Sequence, residues 1–289
     1  METSSMFAGL APGLGTNLLL TAVVSLGVQL LLWAVCMRTR DATLADWWWG
    51  LGYLSIALIT YVHTWGLGVE ARKLLMVILP GIWGLRLSWH LIERSRRDQW
   101  RELDRYENYR KEARERGQSV GWVMYRRVFG IQGVMMWITS LPLQVAQFYL
   151  EPTTLGTLAY VGVAVWALGF GMEAWTDRQL ALFKADPANR SKVLDAGLWR
   201  YSRHPNYFGE ALVWWGIFLI ACEHPIGLLT ILSPLRMHHR MAYRKGIVWL
   251  EQKMAANKPG YADYMARTNR FYPWWPKKAG AASRAAQSR

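Results

Sequence analysis

The sequence predicts an all-α integral membrane protein of about seven transmembrane helices, with the N terminus outside and the C terminus in the cytoplasm. Three observations carry this. Apolar residues make up 52% of the 289, with 18 Trp among them, a balance that favours a membrane protein. The apolar residues fall in runs and the charges in blocks between them. The Lys and Arg residues also lie almost entirely on one side of the implied membrane.

The apolar windows are 16–36, 47–65, 73–91, 131–150, 155–175, 207–222 and 225–235. The first six approach or exceed the length needed to cross a hydrocarbon core of about 30 Å at about 1.5 Å per residue; the last is short. With seven crossings, the segments 37–46, 92–130, 176–206 and 236–289 share one side and hold 31 of the 34 Lys and Arg residues. That asymmetry places them in the cytoplasm. The net charge of +14 then reflects topology and attraction to anionic headgroups. Basic residues split over four loops do not make a nucleic-acid surface. Cys36 and Cys222 both sit in apolar windows, which excludes a disulfide framework and a cysteine metal site.

Taken in order, the stretch METSSMFAGLAPGLGTN lacks a positive n-region, so 16–36 reads as a retained first helix. The second window opens on ADWWWG, an aromatic belt at a helix end with Asp46 beside it. In the third, Arg86, His90 and Arg94 are spaced by four and share one face. Ionisable groups in a membrane helix face the bundle interior or a wet cavity. Residues 92–130 carry 11 basic and 7 acidic residues and suit an amphipathic cytoplasmic helix, ended by Gly117 and Gly121. The fourth window contains Pro142, which kinks it, and Gln132, Gln144 and Gln147, which can bond freed carbonyls or neighbouring helices.

The fifth helix ends in GMEAWTDRQLALFK. Spacings of four and seven put Glu173, Asp177 and Lys184 within about 60° on one helical face. The stretch DAGLWRYSRHPNYFGE follows, where Arg200, Arg203 and His204 stand before a helix start and Asn206 and Glu210 lie one turn apart inside it. Backbone N–H groups at a helix start, reinforced by guanidinium groups, suit a phosphate or carboxylate. No G-x-G-x-x-G loop is present, so a Rossmann carrier is excluded. His238 and His239 are adjacent and point about 100° apart on a helix, and we assign no metal. Glu251 opens a Tyr-rich tail, and 277–289 reads as disordered.

The stretches ADWWWGLGY, Glu173 to Lys184, GLWRYSRHPNYFGE, ILSP and LEQKM…PGYADYMARTNRFYP, in that order over roughly 41–276, resemble the bacterial membrane family grouped with steroid 5α-reductases. Isoprenylcysteine carboxyl methyltransferases, in the same superfamily, carry loops similar to RHPNY. The resemblance implies an inner-membrane enzyme in which 1–130 forms the substrate side and 131–276 the cofactor side. It implies an NADPH pocket lined by Glu173, Asp177, Lys184, Asn206 and Glu210; the 2′-phosphate needs cationic partners, for which Arg94, Arg200 and Arg203 are the candidates, and His204, Tyr207 and Glu251 are further candidate cofactor contacts. Glu173 stands where the reductases have an amide. The implied reaction is reduction of a conjugated carbon–carbon double bond in a lipophilic, steroid-like enone, with Asp46 or His90 as the acid at the carbonyl. The alternative is an S-adenosylmethionine-dependent membrane methyltransferase.

Overall fold

The computed structural model describes residues 9–243 and 245–277. Among these the chain is α-helical, without a sheet. The helices are α1 (Leu14–Thr39), α2 (Leu44–His63), α3 (Glu70–Arg97), α4 (Asp104–Glu115), α5 (Val120–Met124), α6 (Ile131–Thr139), α7 (Leu141–Val145), α8 (Thr157–Ala185), α9 (Pro205–Ala221), α10 (Leu232–Tyr243), α11 (Lys245–Asn257) and α12 (Tyr261–Arg267). Among the described residues α1, α3 and α8 are long and apolar enough to cross a membrane, and the bent pair Val120–Thr139 and Leu141–Phe148 makes a fourth crossing if it is one span. Residues 278–289 of the tail expected to be disordered lie outside the described residues, as does Arg244.

The chain forms two compact units. The first comprises Met1–Tyr160 and Ile217–Ser233, the second Val161–Gly216 and Pro234–Arg289.

In the first unit, helix α1 is apolar outside and polar inside. Its buried residues are Asn17, Thr21, Ser25, Gln29 and Cys36, while Leu19 and Leu31 lie largely exposed. In lipid this is the stable arrangement, because apolar side chains meet acyl chains and polar ones bond across helices. Asn17 donates to Thr60 and to Gln144, both at 3.1 Å, and Thr21 donates to Gln144 at 2.6 Å. Ser25 donates to the Gly133 carbonyl at 3.0 Å. Helices α2 and α3 touch backbone to backbone at Gly50 and Gly84, where a Cβ on Gly50 would stand 2.2 Å from the Gly84 oxygen.

The break expected at Pro142 is present, with a 45° bend. The Gln residues take both expected roles: Gln132 donates across to the Ala45 carbonyl, and Gln147 donates to the carbonyls of Ala57 and of Leu143. Gly117 ends the run after α4 at φ +63, as expected. Gly121 lies inside α5. Helix α4 buries Tyr106, Arg110 and Ala113, and Tyr106 packs in a cluster with Cys36, Ala42 and Phe129. Arg72 and Lys73 lie inside α3 and are buried. Arg72 pairs with Glu223 at 3.2 Å and donates to the Pro152 carbonyl at 2.7 Å.

In the second unit, α8 and α9 approach through glycines. A Cβ on Gly209 would stand 2.7 Å from the Gly169 oxygen and from the Glu173 nitrogen; one on Gly216 would stand 2.5 Å from the Gly162 oxygen. Glycine at both heights lets the two helices meet at backbone distance. The C-terminal segment packs on the loop before α9. Arg203 N–H donates to the Asn269 carbonyl at 2.9 Å, and Ser202 Oγ donates to the Phe271 carbonyl at 2.8 Å.

Candidate functional site

The second unit assembles its polar side chains where α8 and α9 come closest. Glu173 and Asp177, one turn apart on α8, are buried. Gly209 lies against the Glu173 backbone, which puts the first turn of α9 at the same level. Asn206 Nδ2 donates to Asp177 Oδ1 at 3.0 Å. Glu210, the residue after Gly209, is also buried. Asn206 Oδ1 is enclosed and accepts no hydrogen bond from the protein. Lys184 lies at the surface in the last turn of α8.

Beside this group stands a second, tightly paired one. Arg203 Nε donates to Glu251 Oε1 at 2.9 Å, its Nη2 donates to Oε2 at 3.3 Å, and its Nη1 donates to the Met265 carbonyl at 2.7 Å. His204 Nε2 and Glu251 Oε1 are 3.0 Å apart. The His204 ring lies parallel to Tyr207, with centroids 5.3 Å apart. Burial works against the Glu251 charge, but the His204 hydrogen bond and the Arg203 guanidinium hold its carboxyl below the usual range. Burial, reinforced by the Glu251 carboxylate, pushes the Tyr261 phenol up to about 12. Arg203, His204 and Glu251 thus clamp the RHP loop to α11, and Arg200 stays exposed.

The remaining sequence-predicted residues belong to the first unit. Asp46, in the first turn of α2, pairs with Arg105 and accepts from Tyr106 Oη at 3.0 Å. Burial, with the Asp46 charge next to it, pushes the Tyr106 phenol up. A carboxylate so bonded accepts hydrogen bonds and donates none. His90 and Arg94 are half-buried on α3. The glycines that bring α8 and α9 together lie outside the polar motifs, and their signal in the sequence is the seven-residue spacing of Gly162 from Gly169 and of Gly209 from Gly216.

Chemically, Glu173, Asp177, Glu210 and the Asn206 carbonyl make an acceptor-rich set. Such a set suits hydroxyls, a carboxamide N–H₂ or a cationic centre. A phosphate would need cations, and Arg203 already spends its donors on Glu251 and a carbonyl.

Residues 32–268 match the family described as protein of unknown function DUF1295, and the chain belongs to that family. An uncharacterised protein of Schizosaccharomyces pombe is 23% identical over 264 residues, which covers 84% of this chain and 75% of that protein. No solved structure matches.

Proposed function

We propose that this DUF1295 member is a membrane-embedded, NADPH-dependent reductase related to the steroid 5α-reductases, acting on a conjugated double bond of a lipophilic, steroid-like enone. The proposal includes seven crossings, N terminus outside and C terminus cytoplasmic, in a bacterial inner membrane. Its seventh crossing, 225–235, opens as the 3₁₀ helix Pro225–Ile231 and continues into α10.

The observation that carries the reading is Asn206 bound to Asp177 with its own carbonyl oxygen enclosed and accepting nothing. An enclosed acceptor costs about 1–3 kcal/mol when no donor meets it, and a carboxamide N–H₂ is a donor of the right class. Bound NADPH would supply a hydride for the β carbon of the enone. Asp177 fixes the Asn206 amide, and the side chains that enclose its carbonyl would part to admit the ligand. Glu173 and Glu210 accept from ribose hydroxyls. The clamp of Arg203, His204 and Glu251 positions the loop that ends at Asn206, and His204 supports Tyr207 by stacking. Arg200 and Lys184 are the proposed cations for the phosphates. With both Asp46 oxygens accepting hydrogen bonds, the proton for the substrate is assigned to His90.

Purified protein in detergent is expected to melt at a higher temperature with NADPH, and Asn206→Ala and Glu210→Ala to lose the shift. No shift in the wild-type protein would overturn the cofactor assignment. A second reading, an S-adenosylmethionine-dependent methyltransferase, is favoured by the same acceptors, since the side chains of Glu173, Asp177 and Glu210 also suit a sulfonium. Titrating both cofactors against one sample separates the two.

A further inference from the structure

Residues 271–277, FYPWWPK, have no part in the proposed reaction, yet they present the most exposed aromatic rings of the second unit. Phe271 is buried, whereas Tyr272 is 53%, Trp274 70% and Trp275 71% exposed. The rings are held in place. Trp274 N–H donates to the Tyr201 carbonyl at 3.1 Å and Lys277 N–H to the Arg267 carbonyl at 2.8 Å. Tyr272 Oη and His238 Nε2 are 2.7 Å apart. Trp275 meets the Tyr201 ring edge-on with centroids 5.4 Å apart. Two indoles fixed outward on a braced segment form an apolar surface that something covers.

The chemistry of the surface selects its occupant. Trp and Tyr have an apolar body and a polar handle, and they concentrate where acyl chains meet headgroups. The surface is also continuous with an apolar one: Tyr272 rests on His238 of α10, and Leu235, one turn earlier on that helix, is 49% exposed. The charge is complementary as well. Lys277 is exposed next to the rings and the protein carries a net +14, which suits anionic headgroups. Arg267 is already paired with Asp195.

We propose that residues 271–277 are an interfacial membrane anchor. Tyr272, Trp274 and Trp275 sit at headgroup depth, Lys277 faces lipid phosphates, and the segment that packs on the RHP loop is thereby fixed to the bilayer surface. This goes beyond the reductase reading and does not rest on it.

The test uses the full chain in nanodiscs of phosphatidylcholine and phosphatidylglycerol, with the photoreactive p-benzoylphenylalanine at position 275. Illumination is expected to give protein carrying one added lipid mass. The same label at exposed Ala262 of α12 is expected to give none. Placing the label at position 274 repeats the measurement on the neighbouring ring, should the first variant fold poorly. A crosslinked dimer would assign the surface to a second copy, and a crosslink to 278–289 would assign it to the chain's own tail; either overturns the anchor. So does the absence of any adduct, or equal lipid labelling at Ala262.

Discussion

Asn206 reaches from the first turn of α9 to Asp177 on α8, its Nδ2 3.0 Å from Asp177 Oδ1. The bond orients the amide, so the Asn206 carbonyl has one direction in which to face. Changing the donor to an acceptor at constant size reverses its sense: Asn206→Asp sets a carboxylate against a carboxylate. That variant is expected to lose the NADPH-induced melting shift and also to melt below Asn206→Ala without ligand, since like charges in contact repel. Differential scanning fluorimetry with and without NADPH reads both effects. Equal melting of the two variants would place Asn206 outside contact with Asp177.

Gly209 sets the height at which the site is built. An added Cβ would stand 2.7 Å from both the Gly169 oxygen and the Glu173 nitrogen, and both are backbone atoms that cannot rotate away. Gly209→Ala is therefore expected to cost about 1–3 kcal/mol, as overpacking does in a filled interior. It should also weaken cofactor binding, because it moves Glu173 away from Asn206 and Glu210. Melting temperature and cofactor titration are the measurements. A variant as stable as the wild type would mean that the helices lie further apart.

The clamp on the RHP loop responds to acid. The Glu251 carboxyl lies below its ordinary 4.5 in the folded protein, so the unfolded chain binds the proton more readily. Its stabilising contribution is complete above about pH 4.5 and is lost as pH falls through the lower folded value. Glu251→Gln removes this dependence and leaves Arg203 with a neutral partner. The variant is expected to melt below the wild type at about pH 7, with the gap narrowing on acidification to about pH 4. A gap independent of pH would show that the carboxylate charge is not what holds Arg203.

Much of the helical plan is legible in the sequence because apolar run length is a strong one-dimensional signal. Pro142 marks the bend, and the spacing of Glu173 and Asp177 marks a face that α9 meets. Pairing is much less legible. Glu251 reads as a cofactor contact, and only the fold shows it 3.0 Å from His204. Asp46 stands alone in its aromatic belt, and only the fold brings Arg105 to it from 59 residues away. Arg72 stands one residue before an apolar window, where charge signals the surface; Glu223, 151 residues on, reverses that. The polar face of α1 is legible, since Asn17, Thr21, Ser25 and Gln29 repeat every four residues, but the long apolar run around it masks that period.

The Arg72–Glu223 pair is enclosed, with side-chain exposures of 0% and 2%. Removing one partner strands a buried charge, a loss of about 3–5 kcal/mol, whereas replacing both with matching uncharged groups is often near neutral. Arg72→Met is thus expected to lower the melting temperature strongly, and Arg72→Met combined with Glu223→Gln to recover part of the loss. Melting of the two single variants and the pair closes the cycle. Additive losses would show that Arg72 acts through the Pro152 and Thr154 carbonyls rather than through Glu223.

Gln29 is the member of the α1 polar face that stands without a partner. It is 0% exposed, and neither its Oε1 nor its Nε2 has a hydrogen-bond partner. Gly133 admits its stem, since a Cβ there would stand 3.1 Å from Gln29 Cγ, and the Gly133 carbonyl is already taken by Ser25. A buried amide without partners costs about 1–3 kcal/mol relative to an apolar group of the same shape. Gln29→Leu is therefore expected to raise the melting temperature, whereas Asn17→Leu, which breaks bonds to Thr60 and Gln144, is expected to lower it. Both variants present the same leucine to the same helix face, so a fall in both would show that Gln29 is bonded in the native membrane protein.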